Sequence, residues 1–117
     1  MRTNVDDSAY IRALIDETSE VYNVDAARVF VVGHSNGGFM AHRLACELGD
    51  RLRGIVSIAG AGLDPDAGET CRAPSSSVAV LQIHGDRDRA VSYEGGHPLG
   101  DPKLPIHPGA EATVAAW

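Results

Sequence analysis

Gly33-His34-Ser35-Asn36-Gly37 sets one serine between glycines where an apolar run, 28–33, gives way to a helical pattern. The order fits G-x-S-x-G in the strand-to-helix setting that gives this pattern its meaning. A serine on such a turn exposes its Oγ. It also lies beside the backbone N–H of the next residue, here Asn36, which can stabilise the oxyanion of an attacked carbonyl. Acyl transfer by a serine nucleophile is the chemistry these residues could do. The plainer alternative is Ser35 as an ordinary N-cap. A phosphate cradle does not fit, because no lysine follows the glycines.

Serine is a weak nucleophile, so it needs a histidine base and an acid that fixes the histidine's tautomer. Asp86 and Asp88 both leave the end of the apolar run 78–85, and Asp88 is the preferred acid. For either one the alternative is a solvated turn carboxylate beside Arg87 or Arg89. In the chain order serine, acid, histidine, the base must follow Asp88. Only His97 and His107 do, both in a Gly/Pro-rich segment, which makes them substitutes at best. His34 is the variable residue of the serine turn, His42 sits on the following helix and His84 ends a strand. These three read as structural.

The elements that must position these groups are legible in outline. Residues 6–22 place Ile11, Leu14, Ile15 and Tyr22 along one face of an amphipathic helix, with Asp6, Asp7 or Ser8 as its cap. Runs 28–33, 54–60 and 78–85 are β-branched and without alternation, as expected of parallel strands covered on both faces. Between the first two lies a helix with Met40, Leu44 and Leu48 on one stripe, Ala41 and Ala45 beside it, and Gly49 as its stop. Strand, helix, strand at this spacing is a βαβ unit, so the fold class is α/β with a parallel sheet flanked by helices. Residues 61–77 read as loop, and so does the Gly/Pro-rich stretch after Gly85. A new helical pattern begins at 110.

With 117 residues the chain holds one domain at most, and its apolar fraction of 44% is ordinary for a folded core. A net charge of −6 with no basic cluster argues against nucleic acid as a partner. No stretch is long and apolar enough to span a membrane, and the start has no signal-peptide core. Cys46 and Cys71 are too few for a metal framework; a disulfide and a plain buried thiol are both open. The segment 60–69 fits neither a dinucleotide loop nor a calcium loop.

The residues "GHSNGG", "RLACEL", "IHGDRD" and "VSYEGG" resemble the polyhydroxybutyrate depolymerase and feruloyl esterase-type family of α/β-hydrolases. The resemblance runs from about Asp6 to the end of the chain. It implies Ser35 as nucleophile, Asp88 as acid and Asn36 N–H as an oxyanion donor. By the same token it implies hydrolysis, through an acyl-enzyme, of polyester or phenolic esters, which are small-molecule or polymeric substrates. It calls for no metal or organic cofactor, and members are usually exported. Arg89 and Ser92 stand where the family commonly has proline.

The family's histidine would lie after a further helix and strand, and its second oxyanion donor after an earlier strand. Neither is matched here. The expectation is therefore a single, incomplete α/β-hydrolase domain over 1–117, a partial fold with impaired activity and open sheet edges through which it self-associates. Two alternatives stand beside it. One is a peptidase or dienelactone-type hydrolase on the same fold; the other is an inactive truncated domain serving as a binding or assembly module.

Overall fold

The computed structural model describes residues 5–64 and 78–117. Helix α1 spans Asp7–Val21; the Asp6 carboxylate caps it by accepting the Ala9 N–H at 2.9 Å. Strand β1 (Phe30–His34) leads through Ser35 into α2 (Asn36–Glu47), and β2 (Gly54–Ile58) and β3 (Ala79–Ile83) follow. The three strands form one parallel sheet in the order β1-β2-β3, with Val32 opposite Val56 and Val56 opposite Leu81. Each predicted strand is present but shorter than its apolar run, and β1 is shifted toward the serine.

The core lies between α2 and one face of the sheet. Ala41, Leu44, Ala45 and Leu48 of α2 are buried with Leu52 and Ile55, and Ile11 and Ile15 of α1 pack against them. The helical stripe expected from the sequence thus faces the sheet, with Met40 only partly buried. On α1 the expected face is narrower: Ile11 and Ile15 contribute, while Leu14 and Tyr22 are exposed. Ion pairs from Arg51 to Asp16 and from Arg12 to Asp50 tie α1 to the turn after α2. Cys46 is disulfide-bonded, whereas Cys71 lies outside the described residues, as do 65–70 and 72–77 of the expected loop.

Burial on both faces of the strands is not what the structure has. Phe30 is 60% and Val32 67% exposed on β1, and Leu81 and Ile83 on β3 are exposed on the same side. Apolar residues at successive strand positions make both faces suitable for burial. Burial itself needs a second layer, and the packed helices α1 and α2 serve only the face that holds Val31, Ile55 and Val80.

The Gly/Pro-rich stretch after β3 is more ordered than its composition suggests. Gly95–Gly96 (β4) pairs antiparallel with His107–Pro108 (β5), and a 3-10 turn at Pro98–Gly100 lies between them. Gly95 and Gly96, with φ of +90° and +116°, take up backbone that side chains rarely adopt. Helix α3 (Ala110–Ala115) follows, and its Thr113 Oγ1 accepts the Gly62 N–H at 3.1 Å.

The sheet and α2 approach most closely at the serine turn. A Cβ on Gly33 would stand 1.9 Å from Gly37 O, whereas a Cβ on Gly37 would meet nothing within 4 Å. Only the first of the two motif glycines is required by space at its own Cβ. Gly33→Ala is therefore expected to destabilise the chain by about 3 kcal/mol, the upper end of overpacking costs. Gly37→Ala, at a helical position, should be neutral or stabilise by up to about 1 kcal/mol. Urea unfolding of the two variants checks this; equal losses would contradict it.

Candidate active site

Ser35 sits between β1 and α2 with φ 54° and ψ −118°, a backbone conformation strained for any residue with a side chain. The sheet holds it there, since the Ser35 N–H donates to Ile58 O at 2.8 Å as an extension of the β1–β2 ladder. Its carbonyl accepts from the Gly38 and Phe39 amides. Its hydroxyl makes no cap hydrogen bond, so Ser35 occupies the N-cap position without doing an N-cap's work. Helix geometry leaves the Asn36 and Gly37 amides, at the start of α2, without intrahelical acceptors. No strand precedes α1 among the described residues, and none of them supplies the second donor expected from an earlier strand.

Asp88 stands in the turn after β3, on the same sheet edge as Ser35. Its Oδ1 accepts the Ala90 N–H at 2.8 Å and the Val91 N–H at 2.9 Å. Those two amides, Val91 first, hold the carboxyl below its ordinary pKa and hence ionised. Asp86 is exposed, and the structure gives it no comparable hold.

The five histidines divide clearly. His42 is fully buried and His84 nearly so; both are hydrogen-bonded within the fold, while His34 is exposed at the strand end. His97 is exposed, and its Nδ1–H donates to Leu104 O at 2.7 Å. His107 is 5% exposed and edge-on to Phe39, and its Nδ1–H donates to Pro108 O at 2.9 Å. That bond leaves the lone pair on Nε2, which has no partner. Neither His97 nor His107 is hydrogen-bonded to Ser35 or Asp88.

A cavity of about 560 Å³ joins these groups, lined by Ser35, Phe39, Val91 of the acid turn, Leu99, Ile106 and His107. No Asp, Glu, Lys or Arg stands among its lining residues. It thus brings together Ser35, Asn36 and His107 of the expected residues, with the Asp88 turn at its border, and leaves His97 outside. Tyr93 packs edge-on against His84 and donates its hydroxyl to Glu111. Sequence reasoning missed Phe39, Leu99 and Ile106. The available signal was three apolar residues, Leu99, Leu104 and Ile106, inside an otherwise polar, Pro-rich stretch. Among the described residues no cluster could hold a metal ion, and no helix is long and apolar enough to cross a membrane.

The family model described as Phospholipase/Carboxylesterase matches residues 3–99. A Nocardia uniformis protein named "Putative esterase NocK" is 37% identical over 89 residues, 76% of this chain and 25% of its own length. Feruloyl esterase C of Emericella nidulans is 33% identical over 99 residues, 85% of this chain and 35% of its own. Feruloyl esterase B of Piromyces equi is 31% identical over 99 residues, 80% of this chain and 18% of its own. The chain thus spans between 18% and 35% of the length of these curated relatives. No solved structure matches it.

Because the folded carboxyl of Asp88 is depressed below 3.8, its stabilisation is fully present above that value and is lost as pH falls through the folded pKa. Asp88→Asn should therefore cost about 1–2 kcal/mol at neutral pH, the worth of charge-assisted bonds to two amides. The difference from the parent chain should shrink below about pH 4. Denaturation at a series of pH values tests this, and a pH-independent difference would contradict it.

Proposed function

The chain belongs to the phospholipase/carboxylesterase family of α/β-hydrolases, and from that membership we propose that Ser35 is the nucleophile of an ester hydrolase. The observation that carries the reading is the Ser35 backbone: strained, held by the sheet, its hydroxyl free of any capping bond and facing an apolar cavity. In this reading Ser35 Oγ attacks the ester carbonyl, and the Asn36 N–H stabilises the oxyanion. The alcohol then leaves with the serine's proton, and water releases the acid from the acyl-enzyme. Asp88, held ionised, is the carboxylate that orients a histidine base.

His107 is the described histidine best suited to accept the serine's proton, because it lines the cavity and its Nε2 lone pair is unpartnered. It lacks the family's hydrogen bond to the acid, so catalysis through it would be weak. The uncharged, largely apolar walls favour an apolar acyl group, and the feruloyl esterase relatives make phenolic acyl esters the first class to try. The Cys46 disulfide supports an oxidising, exported setting.

Intact-mass spectrometry after treatment with a fluorophosphonate tests the reading. One adduct is expected on the parent chain and none on Ser35→Ala. His107→Ala should slow labelling by about 10²-fold, the lower range for loss of a general base, and His97→Ala should leave it unchanged. No adduct on the folded parent would reject Ser35 as an activated nucleophile. Unslowed labelling of His107→Ala would reject His107 alone.

A further inference from the structure

His42 and His84 are buried imidazoles that the proposed chemistry does not use, and one glutamine joins them. Trp117 Nε1–H donates to His42 Nδ1 at 3.1 Å. An indole nitrogen can only donate, so this ring nitrogen carries the lone pair and the proton sits on Nε2. His42 Nε2–H then donates to Gln82 Oε1 at 3.0 Å, which fixes the orientation of the amide. Gln82 Nε2 spends one N–H on Gly60 O at 2.8 Å and the other on His84 Nδ1 at 3.2 Å. His84 in turn has its proton on Nε2 and donates to Val91 O at 2.7 Å. Every step is dictated by the one before it, and all donors point the same way, from Trp117 toward Val91.

The Val91 end of this relay and the Gly60 branch from its middle bear on the site. Val91 is gripped twice: His84 holds its carbonyl, while its N–H is one of the two that hold Asp88 Oδ1. Gly60, held by the same amide, lies against Gly38 of α2, so close that a Cβ on Gly60 would stand 2.5 Å from the Gly38 carbonyl carbon. We propose that Gln82 is a positioning residue. As the hub of a one-way relay, Trp117–His42–Gln82–His84–Val91, it locks both imidazoles as neutral Nε2–H tautomers and fixes the Asp88 turn relative to the serine turn. Burial holds the His42 pKa below its ordinary value, with the Gln82 bond opposing that shift, which agrees with a ring locked neutral. The catalytic meaning of the relay rests on the ester-hydrolase reading; its existence does not.

The test reads protons rather than turnover. Long-range ¹H–¹⁵N spectra of the full chain should show His42 and His84 with the proton on Nε2. In Gln82→Glu, a carboxylate has no N–H to offer and can only accept, while Val91 O still needs the Nε2–H, so His84 should carry a proton on both ring nitrogens. A ¹³C titration of the Asp88 carboxyl should show its midpoint rising toward 3.8 in Gln82→Met and in His84→Leu, the latter also losing the imidazole Nε2 that stands 3.9 Å from Asp88 Oδ2. His84→Gln, which keeps an N–H for Val91 O, should restore the depressed value. A proton on His42 Nδ1 in the parent chain overturns the relay; a still-depressed Asp88 midpoint in a folded Gln82→Met or His84→Leu overturns the positioning role. Trp117→Phe, at the exposed end, decides the matter if the core variants fail to fold. Gln82 Oε1, oriented by Gly60 O, still needs a donor, so His42 should keep its proton on Nε2, and a proton on His42 Nδ1 there overturns the relay. Fluorophosphonate labelling of Ser35 in the parent chain is read separately, so failure of the hydrolase reading is distinguishable from failure of the relay.

Discussion

The closest constraint in this molecule is the contact between the end of β1 and the start of α2. Gly33 lies so near Gly37 O that no side chain fits between them, and this proximity forces the chain to reverse within one residue. That residue is Ser35, whose positive φ is the geometric result. A strained conformation costs about 1–3 kcal/mol and persists only when its surroundings over-determine it. Here they do. The Ser35 amide is bonded to Ile58, its carbonyl receives two amides of α2, and Gly38 is seated on Gly60. The start of α2, its first amides and a serine hydroxyl without a capping bond all follow from that one turn.

A second constraint comes from polar groups inside a small core. His42, Gln82 and His84 are large polar side chains beneath the sheet edge, and each buried atom left unbonded would cost about 1–3 kcal/mol. The relay satisfies them only if all its members keep one proton arrangement. A fully satisfied network of this kind rigidifies its surroundings, whereas a half-satisfied one weakens them. Its placement matters, because it joins α2, β3 and the acid turn.

The sequence made the order of elements legible because apolar period and glycine position are local signals. Strand 54–60, the α2 stripe and the serine turn all come from neighbours within a few residues of one another. Burial was less legible: Phe30 and Val32 read as buried, yet are exposed, because burial depends on a layer the run itself does not encode. Asp88 could be separated from Asp86 in sequence mainly through resemblance, while the structure separates them by the two amides on Oδ1. His34, His42 and His84 read as structural from the sequence, which holds no account of how. Their partners lie 40 and 75 residues away for His42, a separation no spacing rule reaches. The cavity wall was missed because Leu99 and Ile106 belong to irregular backbone, where no period marks a common face.

That the nucleophile and acid turns meet at all follows from parallel pairing. Parallel strands end on the same edge, and the register here sets His34 opposite Ile58 and Ile58 opposite Ile83. The ladder then runs one residue further on each side, with Ser35 N–H on Ile58 O and Ala59 N–H on Ile83 O. Ser35, the Gly60 loop and the Asp88 turn therefore leave the sheet side by side, although they are far apart in sequence. A register slip of one residue would turn Gln82 to the exposed face and send Leu81 inward. It would remove the hub of the relay and the support of the acid turn together. The apolar residues of β3 would tolerate either register, since both of its faces are apolar enough. Gln82, the polar residue among them, has its hydrogen-bond partners in only one, and so it is the side chain that ties strand register to site geometry.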